Sequence, residues 1–215
     1  MKHPLQLLRH LTNEAQHQYV LDWLAFAIQN NCTAKHATAL VIHSPKGSGK
    51  TTFFQYFAEQ VATRGMIVNY PDLSRVWTAL NDANFLVIDG VPASALTENG
   101  NPFCSTWKDR CNHFDELICN QSLIVNKKHE PTRMVTNELN VVILVNDDEL
   151  PPLPAFYTVI TSDQKFDAWT QLNDEQDFPL LLSEYLEAIE INSYFNTIAL
   201  PTIPAWERSI DPLAF

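Results

Sequence analysis

Ala39-Leu-Val-Ile-His-Ser44-Pro-Lys-Gly-Ser-Gly-Lys50-Thr-Thr52 is the stretch on which the fold turns. Residues 39–44 form a short apolar run bounded by polar residues, the pattern of a buried strand. Gly47 and Gly49 follow within three positions of one another, in a chain that has only five glycines. Average usage would give about 15 in this length, so these two are expected where the backbone requires them. Ser44 to Thr51 match G-x-x-x-x-G-K-[ST], with Ser44 in place of the first glycine. Such a loop turns its N–H groups inward around a phosphate, which needs positions free of side chains. Ser44, Pro45, Lys46, Gly47, Ser48, Gly49, Lys50, Thr51 and Thr52 are therefore the expected nucleotide contacts. Lys50 is expected to reach the β- and γ-phosphates of ATP, and the Thr51 hydroxyl to hold Mg²⁺. The helix opening near Thr51 adds its positive N-terminal end. A strand before the loop and a helix after it supply the context that an exposed turn reading GSGKTT would lack.

Outward from the loop, the helical stretch TTFFQYFAEQVATR is expected to stop before Gly65, with Arg64 in its last turn. Residues 66–71 read as a second strand, and Asp72 as the cap of a helix through Leu80. Residues 85–90 read as a third strand, which brings the Asp89 carboxylate to the Mg²⁺ side of the phosphates. Many ATPases carry Glu directly after this Asp to polarise the attacking water; Gly90 stands there instead. Residues 140–147 make the most apolar strand, tipped by Asn146, which either orients water at the γ-phosphate or caps a turn. Residues 156–161 follow as a fifth strand. Residues 122–135 read as a hairpin carrying Lys127, Lys128 and His129. Helices are expected over 4–12, 14–30 and about 105–120. Asn13 would cap the second of these, with Gln16 reaching back to complete the box. Phe178, Leu181, Leu182, Tyr185, Leu186 and Ile189 mark an acidic helical region beyond 163.

Strands alternating with helices imply an α/β fold of three layers around a mostly parallel sheet, the P-loop NTPase architecture, with further helices at both ends. The expected organisation is an N-terminal helical segment 1–37, a core 38–162, acidic helices 163–200 and an extended tail 201–215.

Composition narrows the function. The chain has 215 residues, 46% of them hydrophobic and 18% charged, which excludes a disordered chain. No run of about 18 apolar residues is present, so no membrane-spanning helix is expected. Fourteen basic against 25 acidic residues give a formal charge of −11, which opposes general attraction to a polyanion. Nucleic acid would have to be met through a local basic element. Cys32, Cys104, Cys111 and Cys119, with no export signal, read as free thiols of a reducing cytoplasm. Cys104, Cys111, His113 and Cys119 lack paired zinc-ligand spacing, and His43 reads as a packed strand residue.

The loop SPKGSGKT, the apolar strand ending in Asp89, the basic region LIVNKKHEPTRMV and the strand VVILVND together resemble the superfamily 3 helicase core. That core is the AAA+-like ATPase of phage and plasmid primase-helicases and of small-virus replication proteins. The resemblance covers about 38–162. It implies a homo-oligomeric ring and a hairpin that grips single-stranded nucleic acid, with Lys127, Lys128 and His129 at the corresponding tip. It also implies a phosphate-loop strand flanked by the strands ending in Asp89 and Asn146. Two departures stand out: Gly90 replaces a second acid, and the consecutive arginines that phage members show after the Asn-tipped strand are missing, leaving Arg110 and Arg133 as candidates.

The leading expectation is therefore a helicase-type ATPase acting in the DNA replication of a phage, plasmid or other mobile element. The competing classes are a nucleotide-dependent regulator or loader that partners a larger replication protein, and a small-molecule kinase with Lys127, Lys128 or Arg133 as lid cations.

Overall fold

Five apolar runs become five parallel strands in a computed structural model, which describes residues 3–32, 34–73, 79–96, 114–125, 131–146, 149–163 and 178–191. They are β1 (Ala39–His43), β2 (Gly65–Asn69), β3 (Phe85–Asp89), β6 (Asn140–Val145) and β7 (Tyr157–Thr161). Two further strands, β4 (Ser122–Val125) and β5 (Arg133–Thr136), pair antiparallel as a separate hairpin. The expected hairpin is thus present, while Lys127, Lys128 and His129 lie outside the described residues.

The order across the sheet is β2-β3-β6-β1-β7. This corrects one implication of the resemblance: β1 is flanked by β6 and β7, and the Asp89 strand lies one place further out. Burial gives the reason. All six residues of β6 are buried, and a strand without a solvent face belongs at the centre of a parallel sheet.

Side chains alternate between the two faces with period two. Leu40, Ile42, Phe85, Val87, Val142, Leu144 and Ile160 share one core with α1 (His3–Leu11), α2 (Glu14–Gln29), α3 (Lys50–Tyr56) and α5 (Phe178–Glu187). Val41, Leu86, Ile88, Val141, Ile143 and Val145 face the other core, closed by α4 (Phe114–Cys119) and by Leu123 of the hairpin. The result is the three-layer α/β fold. In α5, Leu182 and Leu186 are buried and Tyr185 packs against the same core, as does Ile189 just beyond the helix. Gln29 closes its C-terminal end, its Nε2 donating to the carbonyls of Leu186 at 2.9 Å and Ile189 at 2.8 Å. Leu186 O also accepts from Ile189 N at 3.4 Å, so the glutamine reinforces a helix end short of helical partners.

Three local expectations change. Asn13 caps α2 as predicted, its Oδ1 accepting from Gln16 N at 2.8 Å. The Gln16 side chain does not return to the cap. Its Nε2 donates to Val159 O at 3.2 Å and its Oε1 accepts from Thr161 N at 3.4 Å, so the amide occupies outward groups of the edge strand β7. The helix after the loop ends earlier than expected. α3 passes at Phe57 into a wide turn through Val61, closed by Ala62 N donating to Phe57 O at 2.9 Å. Gly65 is then the first residue of β2 rather than a helix stop. Its lack of a side chain serves close approach, because a Cβ there would overlap the Ala58 carbonyl. Asp72 ends a 3₁₀ turn (Tyr70–Asp72), and 74–78 of the expected helix lie outside the described residues. So do residues 105–113 ahead of α4, much of 163–200 and the tail 201–215.

Candidate nucleotide-binding site

Parallel strands present all their C-terminal ends at one edge, where ligands of open α/β sheets bind. Ser44, Asp89 and Asn146 each directly follow or end a strand at that edge.

The loop is built from its glycines outward. Gly47 has φ of +87° and Gly49 of +96°. A Cβ on Gly47 would meet nothing within 4 Å, so the demand for glycine there is conformational and not steric. Ser48 N donates to Pro45 O at 3.2 Å and closes the turn. Ser44 does more than fit where the motif has glycine. It is buried, and its hydroxyl meets the buried Ser48 hydroxyl at 2.7 Å, which braces the two sides of the loop. Lys46 and Thr52 are exposed, and Pro45 and Thr51 are half-buried.

Lys50 is 2% exposed. Its Nζ donates to Ser44 O at 2.7 Å and Pro45 O at 3.2 Å, folding the ammonium back on its own loop. Burial pushes its pKa down to about 8, against the upward pull of the Asp89 carboxylate. A cation held only by two carbonyls and the field of one carboxylate is poised for an anion.

Asp89 is half-buried at the end of β3, in register with Asn69 of β2. Gly90 explains the absent second acid. Its φ is +70°, and the turn lets Val91 N donate to Leu144 O at 3.1 Å, tying the exit of β3 to β6. A glutamate there would sit in the left-handed region, which costs about 1 kcal/mol or more. Asn146 is exposed just beyond β6. Val145 is in register with His43, and Ser44 N donates to Val145 O at 3.3 Å, so Asn146 emerges beside the start of the loop. His43 is half-buried at the end of β1. A hydroxyl at Thr51 and a carboxylate at Asp89 are hard oxygen donors suited to Mg²⁺.

The other expectations separate from this edge. Arg133 is exposed on β5, and Arg110 lies outside the described residues. Cys104, Cys111 and His113 also lie outside them, while Cys119 is exposed. Among the described residues no group of three or more His, Cys, Asp or Glu side chains is placed to hold a metal. Nor is any described helix long and apolar enough to cross a membrane.

Sequence reasoning passed over Asn69, exposed beside Asp89, although an Asn closing the apolar run MIV was the available signal. It also passed over the polar residues at the opposite edge. Asn140 is fully buried, accepts from His36 N at 2.8 Å and donates to the carbonyls of Ala34 at 3.1 Å and Cys32 at 3.3 Å. An Asn heading the most apolar strand in the chain was the clue.

No family model matches the chain, and no curated protein matches it in sequence. Solved structures do match in shape. Two structures of the apo NrS-1 C-terminal region superpose with TM-scores of 0.62 and 0.61, at 17% and 18% identity. Each covers 89% of this chain, and the chain covers 47% and 46% of them. A JCV helicase with a substituted acetamide bound superposes with a TM-score of 0.50 at 17% identity, covering 86% of this chain and 50% of that one. The chain thus spans about half the length of the structures it resembles. At such identities the likeness concerns the fold, a three-layer α/β architecture of the P-loop NTPase kind.

Proposed function

We propose that the chain binds and hydrolyses ATP as a helicase-like protein of superfamily 3 type, acting in the DNA replication of a phage, plasmid or other mobile element. One observation carries this reading. A buried lysine directly follows two left-handed glycines, with Asp89 and Asn146 at the same sheet edge on neighbouring strands. Apart from phosphate binding, little else calls for a cation folded under a glycine loop.

In this reading the amides of 47–51 bind the phosphate chain, and Lys50 leaves the Ser44 and Pro45 carbonyls for the β- and γ-oxygens. Thr51 and Asp89 hold Mg²⁺, which neutralises charge developing on the phosphates when bound. Asn146 orients water at the terminal phosphate. The hairpin residues Lys127, Lys128 and His129 contact single-stranded nucleic acid, and copies of the chain assemble as a ring. A change in nucleotide moves the hairpin only if the two states differ in contact energy.

ATP turnover with and without single-stranded DNA, beside Lys50→Ala, tests this. DNA-stimulated turnover that disappears in the variant is the expected result. Lys127→Ala with Lys128→Ala is expected to weaken DNA binding, and unchanged affinity would remove the hairpin from the proposal. The left-handed Gly90 favours one second reading: a nucleotide-dependent regulator or loader of a larger replication protein, with little hydrolysis. Tight nucleotide binding without turnover under either condition would select it.

A further inference from the structure

The root of the hairpin is held by a cation. Lys35 lies on the segment that leads from α2 into β1, four residues ahead of Ala39. Its Nζ donates to Leu117 O at 2.7 Å and to Leu139 O at 3.0 Å. Leu117 belongs to the last turn of α4, which feeds the hairpin. Leu139 sits between the hairpin and β6. One ammonium therefore bridges three parts of the chain: the lead into the phosphate-loop strand, the helix before the hairpin, and the joint after it.

Asn137 completes the fastening. Its Nδ2 donates to Leu117 O at 2.8 Å and Asn120 O at 2.7 Å, and its Oδ1 accepts from Leu139 N at 3.1 Å. Its own N donates to Gln121 O at 2.9 Å. The two legs of the hairpin are thereby closed on each other, and Lys35 joins the closed root to the segment that leads into β1, beside the bonds Asn140 makes to His36 N and Ala34 O. The carbonyls in the last turn of a helix lack helical partners and carry partial negative charge, which suits a cation.

A lysine is an expensive choice for a purely structural tie. It is half-buried, and burial pushes its pKa down to about 8, with Cys119 pulling upward. A neutral donor would hold a static corner with less desolvation. What the long flexible stem adds is a reach between separate elements that survives small displacements.

We propose that Lys35 is a positioning residue, tying the root of the β4–β5 hairpin to the strand that carries the phosphate loop so that the hairpin answers to the nucleotide. This rests on the reading given under Proposed function, but its first test does not. Lys35→Met keeps the stem and removes the donors; Lys35→Arg keeps charge and donors. Amide hydrogen exchange is read over β4, β5 and the 44–51 loop of the full chain. The expected result is exchange at least tenfold faster in β4 and β5 of the Met variant, with the loop unchanged and the Arg variant close to wild type. Unchanged hairpin exchange in the Met variant overturns the inference, whatever the protein does with ATP. Uniformly faster exchange throughout also overturns it, because that is the mark of general destabilisation.

The second test reads coupling. The affinity for a fluorescent single-stranded DNA is measured with and without magnesium and a non-hydrolysable ATP analogue. In wild type the two affinities are expected to differ at least fivefold; in Lys35→Met the ratio is expected to fall toward one, with nucleotide affinity retained. A ratio that stays at the wild-type value in the Met variant overturns the coupling. Equal affinities already in wild type overturn the coupling together with the motor reading, while the exchange result still decides whether Lys35 holds the hairpin.

Discussion

The two edges of this one sheet treat their polar groups in opposite ways. At the edge where the strands begin, most of the polar groups around Asn140 find partners inside the protein, with the buried Asn84 Oδ1 and Trp23 Nε1 as exceptions. Asn140 alone gathers His36 N and the carbonyls of Cys32, Ala34 and Asn84. His36 stacks on Trp23 with ring centroids 4.1 Å apart, and its Nε2 lies 3.0 Å from Trp23 O. At the edge where the strands end, glycines hold the backbone open and Asn69 and Asn146 stand exposed. Lys50 is satisfied there only by its own loop. One edge carries the cost of folding, and the other keeps its hydrogen-bonding capacity for a ligand.

That contrast breaks most readily at Asn140. Asn140→Leu strands one N–H and several carbonyls in a buried site, which is expected to cost about 4 kcal/mol of stability. Denaturant unfolding measures this, and a loss under about 1 kcal/mol would mean that the beginning edge is not where the fold is secured. Lys50→Ala is expected to do the reverse. Nucleotide affinity should drop about 100-fold, the size of a lost charge-assisted contact, with the unfolding midpoint nearly unchanged.

A third expectation sharpens the comparison by pH. Lys50 in the free protein titrates near 8, and a bound polyphosphate would raise that value. Binding then takes up a proton above pH 8, and affinity is highest below 8. It should fall by up to about tenfold per unit as pH climbs beyond 8. Titration calorimetry in buffers of different ionisation enthalpy reads the proton directly. Lys50→Arg, charged throughout, should lose this dependence, and a persisting slope would assign the proton to another group.

The smallest expected effect concerns Gly90. Gly90→Ala should cost about 1 kcal/mol through its positive φ alone, because no atom crowds a Cβ there. A larger loss measured by thermal unfolding would mean that the link from Val91 to β6 had also broken.

The strands and the loop were legible because their signals are local. An apolar run, two glycines and a lysine announce themselves within fourteen residues. The order of the strands was less so, since nothing in a single run says whether β3 or β6 lies beside β1; the pairing of β6 with both β1 and β3 settles it. Gln16 shows a second limit. Its spacing from Asn13 fits a capping box, yet a tertiary partner on β7, 143 positions away, takes the side chain. Lys35 was illegible for the same reason, as its carbonyl partners are distant backbone atoms that leave no residue-type signature. Gly90 was read as an absence and proves to be a backbone requirement.

The placement of Gln16 bears on how copies of this chain are able to meet. With Val159 O and Thr161 N already engaged, β7 offers no continuous ladder at those positions to a foreign strand. A strand added at β7 would first have to evict that glutamine, so this edge of the sheet is closed at those positions to intermolecular strand pairing.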